Sequence, residues 1–297
     1  MYALGTFADS ERTFAGVVAE ERVLPVDGTT RELLADWDRS QERLAGVAAG
    51  DGDWRDLASL RVLAPVEPVH VLQSGANYRR HVLDIILAEE RQRGTMDDDE
   101  ARAMGERIMD ERAATGEPYV FLGAPGAMCG AFDDVLLPAV GEQHDWELEL
   151  ACVLGPGGTI AGYTIANDLT TRDLVYRPDL KAIGSDWLRA KNAPTFLPVG
   201  PWIVPAAFVA DPMALQITLR LNGDVMQDES TSDMIFDVAR LRAYTTARVA
   251  VVPGDLLLTG SPAGNGMHHR RFLRPGDVME CEITGLGTQR LRCVAAE

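Results

Sequence analysis

From Val69 onward the chain is a succession of short apolar runs cut off by glycine, proline or Asn-Gly: VHVLQSG, DVLLP, ELELACVLG, IAGYTIAND, GPWIVP, LQITLRLNG, DLLLTG and DVMECEITG. Runs of four to eight apolar residues bounded by turn formers read as strands. Helical spacing intervenes rarely, with one helix predicted over 234–247, so the pattern is not one of alternating βαβ units. It predicts an α+β, strand-rich fold. Residues 1–65 have a different texture and read as a small N-terminal domain. There a strand, a turn and a strand precede a helix over 30–49. Leu33, Leu34, Trp37, Leu44 and Val47 share one face of that helix, Thr29 or Thr30 is its cap, and Glu32 lies in its first turn. Residues 61–68, with two prolines, read as a linker, and 66–297 as the larger domain.

Hydrophobic residues make up 46% of the 297 positions, enough for a sizeable core. A formal net charge of −17 repels phosphate backbones and argues against a nucleic-acid partner. It does not argue against a small anionic substrate, because a bound cation reverses the local field. No run of about 18 apolar residues is present, which argues against a membrane span. The N-terminal MYALGTFADSERTF lacks the basic start and apolar stretch of a signal peptide. Cys129, Cys152, Cys281 and Cys293 form no CxxC pair, and three lie in apolar runs, so they read as buried free thiols of a cytoplasmic protein. Only two lysines occur, Lys181 and Lys191, against 26 arginines. A lysine kept in such a chain points to a role that an always-charged guanidinium cannot fill.

In HDWELELACVLG, Glu147 and Glu149 are two apart, so on a strand both carboxylates face one way while Leu148 and Leu150 face the other. Two like charges so placed repel unless something compensates them. A hard divalent cation would do so, since carboxylate oxygens are its preferred ligands; a solvent-facing acidic strand edge is the alternative that spacing alone leaves open. A hairpin turning at Pro-Gly-Gly, 156–158, would bring Asp168, at the end of GYTIAND, beside the two glutamates. His81 opens a probable helix three residues before Asp84, so the two share a face and could form a general-base pair; an ordinary surface histidine is the plainer reading. His70 reads as structural, His144 as a neighbour supporting the acidic strand, and His268 and His269 as solvated in a glycine-rich loop. The charge-dense stretch to about residue 115, split by Gly94, reads either as a solvated helical hairpin or as a lid over a pocket, 85–116.

The ordered series NYRRH (77–81), ELE (147–149), GYTIANDLTTRD (162–173), the lysine of DWLRAKNAPTFLPVGPWIVP (186–205), LNGDVMQDEST (221–231), PGDLLLTGSPAGNG (253–266) and RPGDVMECEITGLG (274–287) resembles the fumarylacetoacetate hydrolase family over roughly 69–295. The resemblance implies a mixed β-roll catalytic domain behind a small N-terminal domain, usually as a homodimer. It implies Glu147, Glu149 and Asp168 as ligands of Mg2+, or of Mn2+ or Ca2+, and His81, Asp84 and Lys191 as the catalytic group. Tyr78, Arg172, Thr259 and Gly260, within the same motifs, are candidate substrate contacts, with Thr259 facing a substrate carboxylate. Val175 stands where the family often has a substrate-contacting glutamine, and 85–116 is longer than the lid of the smallest members.

The chemistry so implied is hydrolysis of a C–C bond in acylpyruvates or related 2,4-diketo acids. A small 2-oxo acid would chelate the metal, His81 with Asp84 would activate water, and Lys191 would stabilise the oxyanion. Oxaloacetate decarboxylation or tautomerisation, and hydration or isomerisation of 2-oxo acids, use the same parts. A noncatalytic metal-stabilised binding protein is the reading from another class.

Overall fold

The computed structural model describes residues 1–296. The N-terminal unit is a five-stranded antiparallel sheet of β1 (Ala3–Ala8), β2 (Thr13–Ala19), β3 (Arg22–Val26), β4 (Arg55–Asp56) and β5 (Arg61–Val62), in the order β4-β3-β2-β1-β5. Two helices cover it, α1 (Thr30–Ala35) and α2 (Trp37–Ala49). Thr29 and Glu32 cap α1 reciprocally, as the sequence predicts. The single helix expected over 30–49 is broken at Asp36, whose backbone leaves helical space at φ −125°, ψ 61°. With the break, α1 lies by β1 and α2 by β2, so each segment follows its own strand of a twisted sheet. The expected linker at 61–68 also starts inside the fold, because Val62 pairs with Phe7.

The remaining strands are β6 (Val71–Gly75), β7 (Tyr119–Gly123), β8 (Met128–Gly130), β9 (Val135–Leu137), β10 (His144–Asp145), β11 (Leu148–Leu154), β12 (Ile160–Asn167), β13 (Thr170–Thr171), β14 (Leu197–Val199), β15 (Val204–Pro205), β16 (Gln216–Leu221), β17 (Asp224–Ser230), β18 (Leu256–Leu258), β19 (Val278–Ile283) and β20 (Gly287–Ala295). A mixed sheet runs β7-β6-β18-β11-β12-β14-β8, with β15 also on β12, and a second runs β17-β16-β19-β20-β9. The hairpin expected around Pro-Gly-Gly is β11–β12, in register Leu148↔Asn167.

Strand parity divides the work of β11. Leu148, Leu150, Cys152 and Leu154 belong to the core shared with Ile217, Leu219, Met279 and Cys281 of the second sheet. Ala151 and Val153, on the opposite face, share a core with Leu33, Leu34 and Trp37 of the N-terminal unit. Glu147 and Glu149 lie on that same opposite face, at the end which the apolar core does not reach. Truncating Leu150 to alanine would cost about 2–5 kcal/mol by the usual penalty for core cavities.

The charge-dense stretch forms α3 (Arg79–Arg93) and α4 (Asp98–Thr115), divided at Gly94 as expected. Leu83 and Ile86 of α3 pack over Gly105 of α4, while Arg91–Asp98 and Arg93–Glu89 pairs hold the outer surface. Three further helices follow: α5 (Trp187–Lys191), α6 (Val238–Thr246) and α7 (Gly266–His269). The helix expected from 234 begins only at 238, where Asp237 caps it by accepting from Arg240 N at 2.7 Å. Residues before that cap are held by other bonds: Tyr78 bridges Met234, and the Asn77 carboxamide grips both the N–H and the carbonyl of Phe236. All four cysteines are buried and unpaired, as the sequence reading holds. Among the described residues no helix is long and apolar enough to cross a membrane.

Candidate metal centre and active site

Two chain segments meet where β11 begins and β12 ends. Glu147 directly precedes β11 and Glu149 is its second residue, while Asp168 directly follows β12, its N–H bonded to the Glu147 carbonyl at 2.8 Å. One oxygen from each carboxylate lies within 4.8 Å of the others, and all three side chains are buried. Oxygens sharing one ion through bonds of about 2.0–2.6 Å sit up to about 4–5 Å apart, so the spacing suits a hard divalent cation. The solvent-facing strand edge is excluded by burial: Glu149 and Asp168 are each 2% exposed.

Two cations serve this cluster. Lys191, at the end of α5 and itself buried, donates to Glu147 Oε2 at 2.5 Å, Asp168 Oδ2 at 2.6 Å and Thr170 Oγ1 at 2.7 Å. Arg172 donates through Nε to Asp145 Oδ2 and through an Nη to Glu147 Oε1, both at 2.7 Å. Asp145 also accepts from Gly266 N and Met267 N, which fixes the start of α7. Asp145, Glu147, Glu149 and Asp168 against Lys191 and Arg172 leave two formal negative charges in a low-dielectric site, which one divalent cation would balance.

Titration behaviour follows from this arrangement. Burial pushes Glu147 up, but Arg172 and Lys191 outweigh it and hold its carboxyl well below the usual range. Glu149 makes no ion pair among the described residues; burial, then Asp168, then Glu147 push it well up, against the smaller pulls of Lys191 and the Gly260 N–H. Burial and Glu147 raise Asp168 to about 6 against the pull of Lys191. The free carboxylates thus resist sharing their space, and a hard cation is the species that reverses the effect.

The first turn of α3 carries His81 to this centre, within the fields of Glu147, Arg172, Asp84 and Lys191. Burial is the main influence on the imidazole and lowers its pKa. Asp84, expected to pair with His81, has an oxygen 3.5 Å from Nδ1 of His268. The Asp84 charge nevertheless acts on the His81 ring. His268 and His269 are not in open loop but on α7, and His269 Nε2 contacts the Met226 carbonyl at 3.0 Å. His70 is structural, as read: its Nδ1 is 2.8 Å from Asp255. His144, next to Asp145, is buried against Thr171 Oγ1 at 3.0 Å.

The candidate substrate contacts are differently placed. Gly260, at φ +93°, turns its N–H onto Glu149 Oε2 at 2.7 Å; a Cβ there would come 3.1 Å from both Asn77 Cβ and the Ser74 carbonyl. The Thr259 hydroxyl donates to the Leu150 carbonyl at 2.9 Å. Tyr78 is fully buried. Arg172 is occupied by Asp145 and Glu147, as above. Val175 is buried with Leu174 and Ala190 against Trp187, whose ring lies 5.7 Å from Lys191 Nζ.

Sequence reasoning missed Asp145, Thr170 and Gln73. Asp145 was visible in the same every-second-residue pattern as Glu147 and Glu149. Gln73, whose Nε2 donates to Asp168 Oδ1 at 2.6 Å, stood out only as a polar residue inside an apolar strand.

The fold is a strand-rich α+β scaffold that carries a buried acidic triad spaced to suit a divalent cation. A family model described as "Fumarylacetoacetate (FAA) hydrolase C-terminal" matches residues 70–294, and the chain belongs to the fumarylacetoacetate hydrolase family. It is similar to oxaloacetate tautomerase FAHD2B, mitochondrial, of Homo sapiens, 38% identical over 183 residues, 58% of this chain and 57% of that protein. It is similar to 2,4-didehydro-3-deoxy-L-rhamnonate hydrolase of Sphingomonas sp. (strain SKA58), 38% identical over 187 residues, 59% of this chain and 64% of that protein. Each match spans less than two thirds of the relative's length. A solved fumarylacetoacetate hydrolase from psychrophilic Exiguobacterium antarcticum superposes with a TM-score of 0.76 at 26% identity, covering all of both chains. These relatives are enzymes, and they include both a tautomerase and hydrolases.

Proposed function

We propose that the protein is a divalent-metal-dependent hydrolase that cleaves the C3–C4 bond of an acylpyruvate or related 2,4-diketo acid. One observation carries the reading: a buried carboxylate triad whose charge its two basic neighbours leave uncompensated. Glu147, Glu149 and Asp168 would hold Mg2+ or Mn2+, which supplies Lewis acidity toward the carboxylate and keto oxygens of a 2-oxo acid. His81, kept neutral by burial, accepts a proton from the water that adds to the C4 carbonyl. Lys191 keeps a positive charge where negative charge develops. The C3–C4 electron pair leaves with C3, and protonation there gives pyruvate and a carboxylic acid. Asp84 sits on the face of α3 that carries His81 and biases the imidazole through its field. Helix α3, which carries His81, and α4, packed on it, would close over bound substrate and exclude water. In this reading the protein acts on a free small molecule, in the cytoplasm and as a homodimer.

A second reading rests on the similarity to oxaloacetate tautomerase: the same base moving a proton at C3 of oxaloacetate, with no water added. Protein stripped with chelator is assayed on acylpyruvates and on oxaloacetate, with and without Mg2+ or Mn2+, and the products are analysed. Metal-dependent release of pyruvate and acid supports hydrolysis; metal-dependent enol–keto exchange alone supports tautomerisation. Metal-independent turnover, or full activity in the Glu147→Ala, Glu149→Ala double variant, contradicts both.

A further inference from the structure

We infer that Gln73, seated in the notch left by Gly123, is a positioning residue that sets the orientation of Asp168 for cation binding. The inference rests on the metal-centre reading above but adds residues outside the carboxylate triad.

Gln73 lies in the middle of β6 and is 2% exposed. A carboxamide in such a strand is costly unless its polar atoms are used. Its Nε2 donates to Asp168 Oδ1 at 2.6 Å, while Lys191 donates to Asp168 Oδ2, also at 2.6 Å. The Asp168 carboxylate is therefore held from both ends, one donor charged and one neutral. Each oxygen keeps a second lone pair, so neither bond prevents ligation. The neutral donor matters because Lys191 is shared with Glu147 and Thr170, so it cannot alone fix the rotation of the Asp168 carboxyl plane.

Neighbouring β7 provides the space. A Cβ built on Gly123 would lie 2.5 Å from Gln73 Oε1 and 2.9 Å from its Cδ. A side chain at 123 would therefore displace the carboxamide. Among the described residues its Oε1 has no hydrogen-bond partner, so no acceptor bond there resists that displacement. Position is enforced by shape on one side and by the bond to Asp168 on the other. Partners that orient a metal ligand typically account for 10–100-fold in metal affinity.

The test is a double-mutant cycle on Mn2+ affinity, read by calorimetry or by the free-ion EPR signal, with thermal unfolding as a control. Gln73→Met keeps the volume and removes the donor; about 10–100-fold weaker Mn2+ binding is expected. Gly123→Ala is expected to weaken binding by about tenfold or more through Gln73. In a Gln73→Ala background, where the carboxamide is gone, Gly123→Ala should change affinity less than about twofold, the additivity break of coupled sites. Unchanged Mn2+ affinity in folded Gln73→Met overturns the inference while leaving the metal centre standing. So does a Gly123→Ala effect of equal size in both backgrounds. Failure of the unsubstituted protein to bind Mn2+ overturns the metal-centre reading itself, and this inference with it.

Discussion

Two buried carboxylates in this molecule, Asp255 and Glu149, are kept inside by opposite means. Asp255, before β18, has no exposed surface. Its Oδ1 accepts from Val69 N at 3.0 Å and His70 N at 2.7 Å; its Oδ2 accepts from Val252 N at 2.8 Å and lies 2.8 Å from His70 Nδ1. Four partners for four lone-pair sites complete it, and its role is to pin the loop before β6 to the loop before β18. Glu149 is equally buried but receives one donor, Gly260 N, and faces Glu147 and Asp168. Burial alone therefore does not mark a functional acid. The informative feature is burial without enough donors, with further acids alongside.

That contrast can be broken by substitution. Asp255→Ala should lose about 3–5 kcal/mol of stability in denaturant unfolding, because several donors and His70 lose their partner together. Activity per folded molecule should survive. Glu149→Gln should do the reverse: the metal-free protein stays at least as stable, while kcat/KM falls about 10^3-fold, equivalent to roughly 4 kcal/mol of Lewis-acid stabilisation. Equal destabilisation by both substitutions would erase the distinction. His81→Ala sharpens it by separating chemistry from metal binding: kcat should fall about 10^2-fold with Mn2+ affinity unchanged. The smallest effect concerns pH. Burial lowers the His81 pKa below its ordinary 6.5, so its basic form persists through neutrality. At saturating metal, kcat/KM should be flat near pH 7 and decline only as pH falls through that lowered value. A decline centred above 6.5 would remove His81 from the base role.

The strand-rich fold and the triad were legible because both are written in local periodicity. A two-residue spacing puts Glu147 and Glu149 on one face, and a turn of fixed length returns Asp168 to them. What was not legible depends on contacts distant in sequence. Asp84 lies 3.5 Å from His268, 184 positions away on α7, and no spacing within α3 reveals that contact. The motif makes Arg172 a candidate substrate contact, but its bonds to Asp145 and Glu147 depend on the pairing of β10 with β13, which local spacing does not reveal. The break at Asp36 belongs to the same class: local spacing admits one helix, and the curvature of the sheet beneath divides it. Gln73 is the clearest case, since its bond to Asp168 depends on a glycine in the neighbouring strand.

The central claim is that Glu147, Glu149 and Asp168 grip one divalent cation. It is tested most directly by calorimetric titration of chelator-stripped protein with Mn2+, alongside the Glu149→Gln variant. One ion per chain in the unsubstituted protein and no measurable binding in the variant is the predicted result. No binding by either, or the same affinity in both, would contradict it.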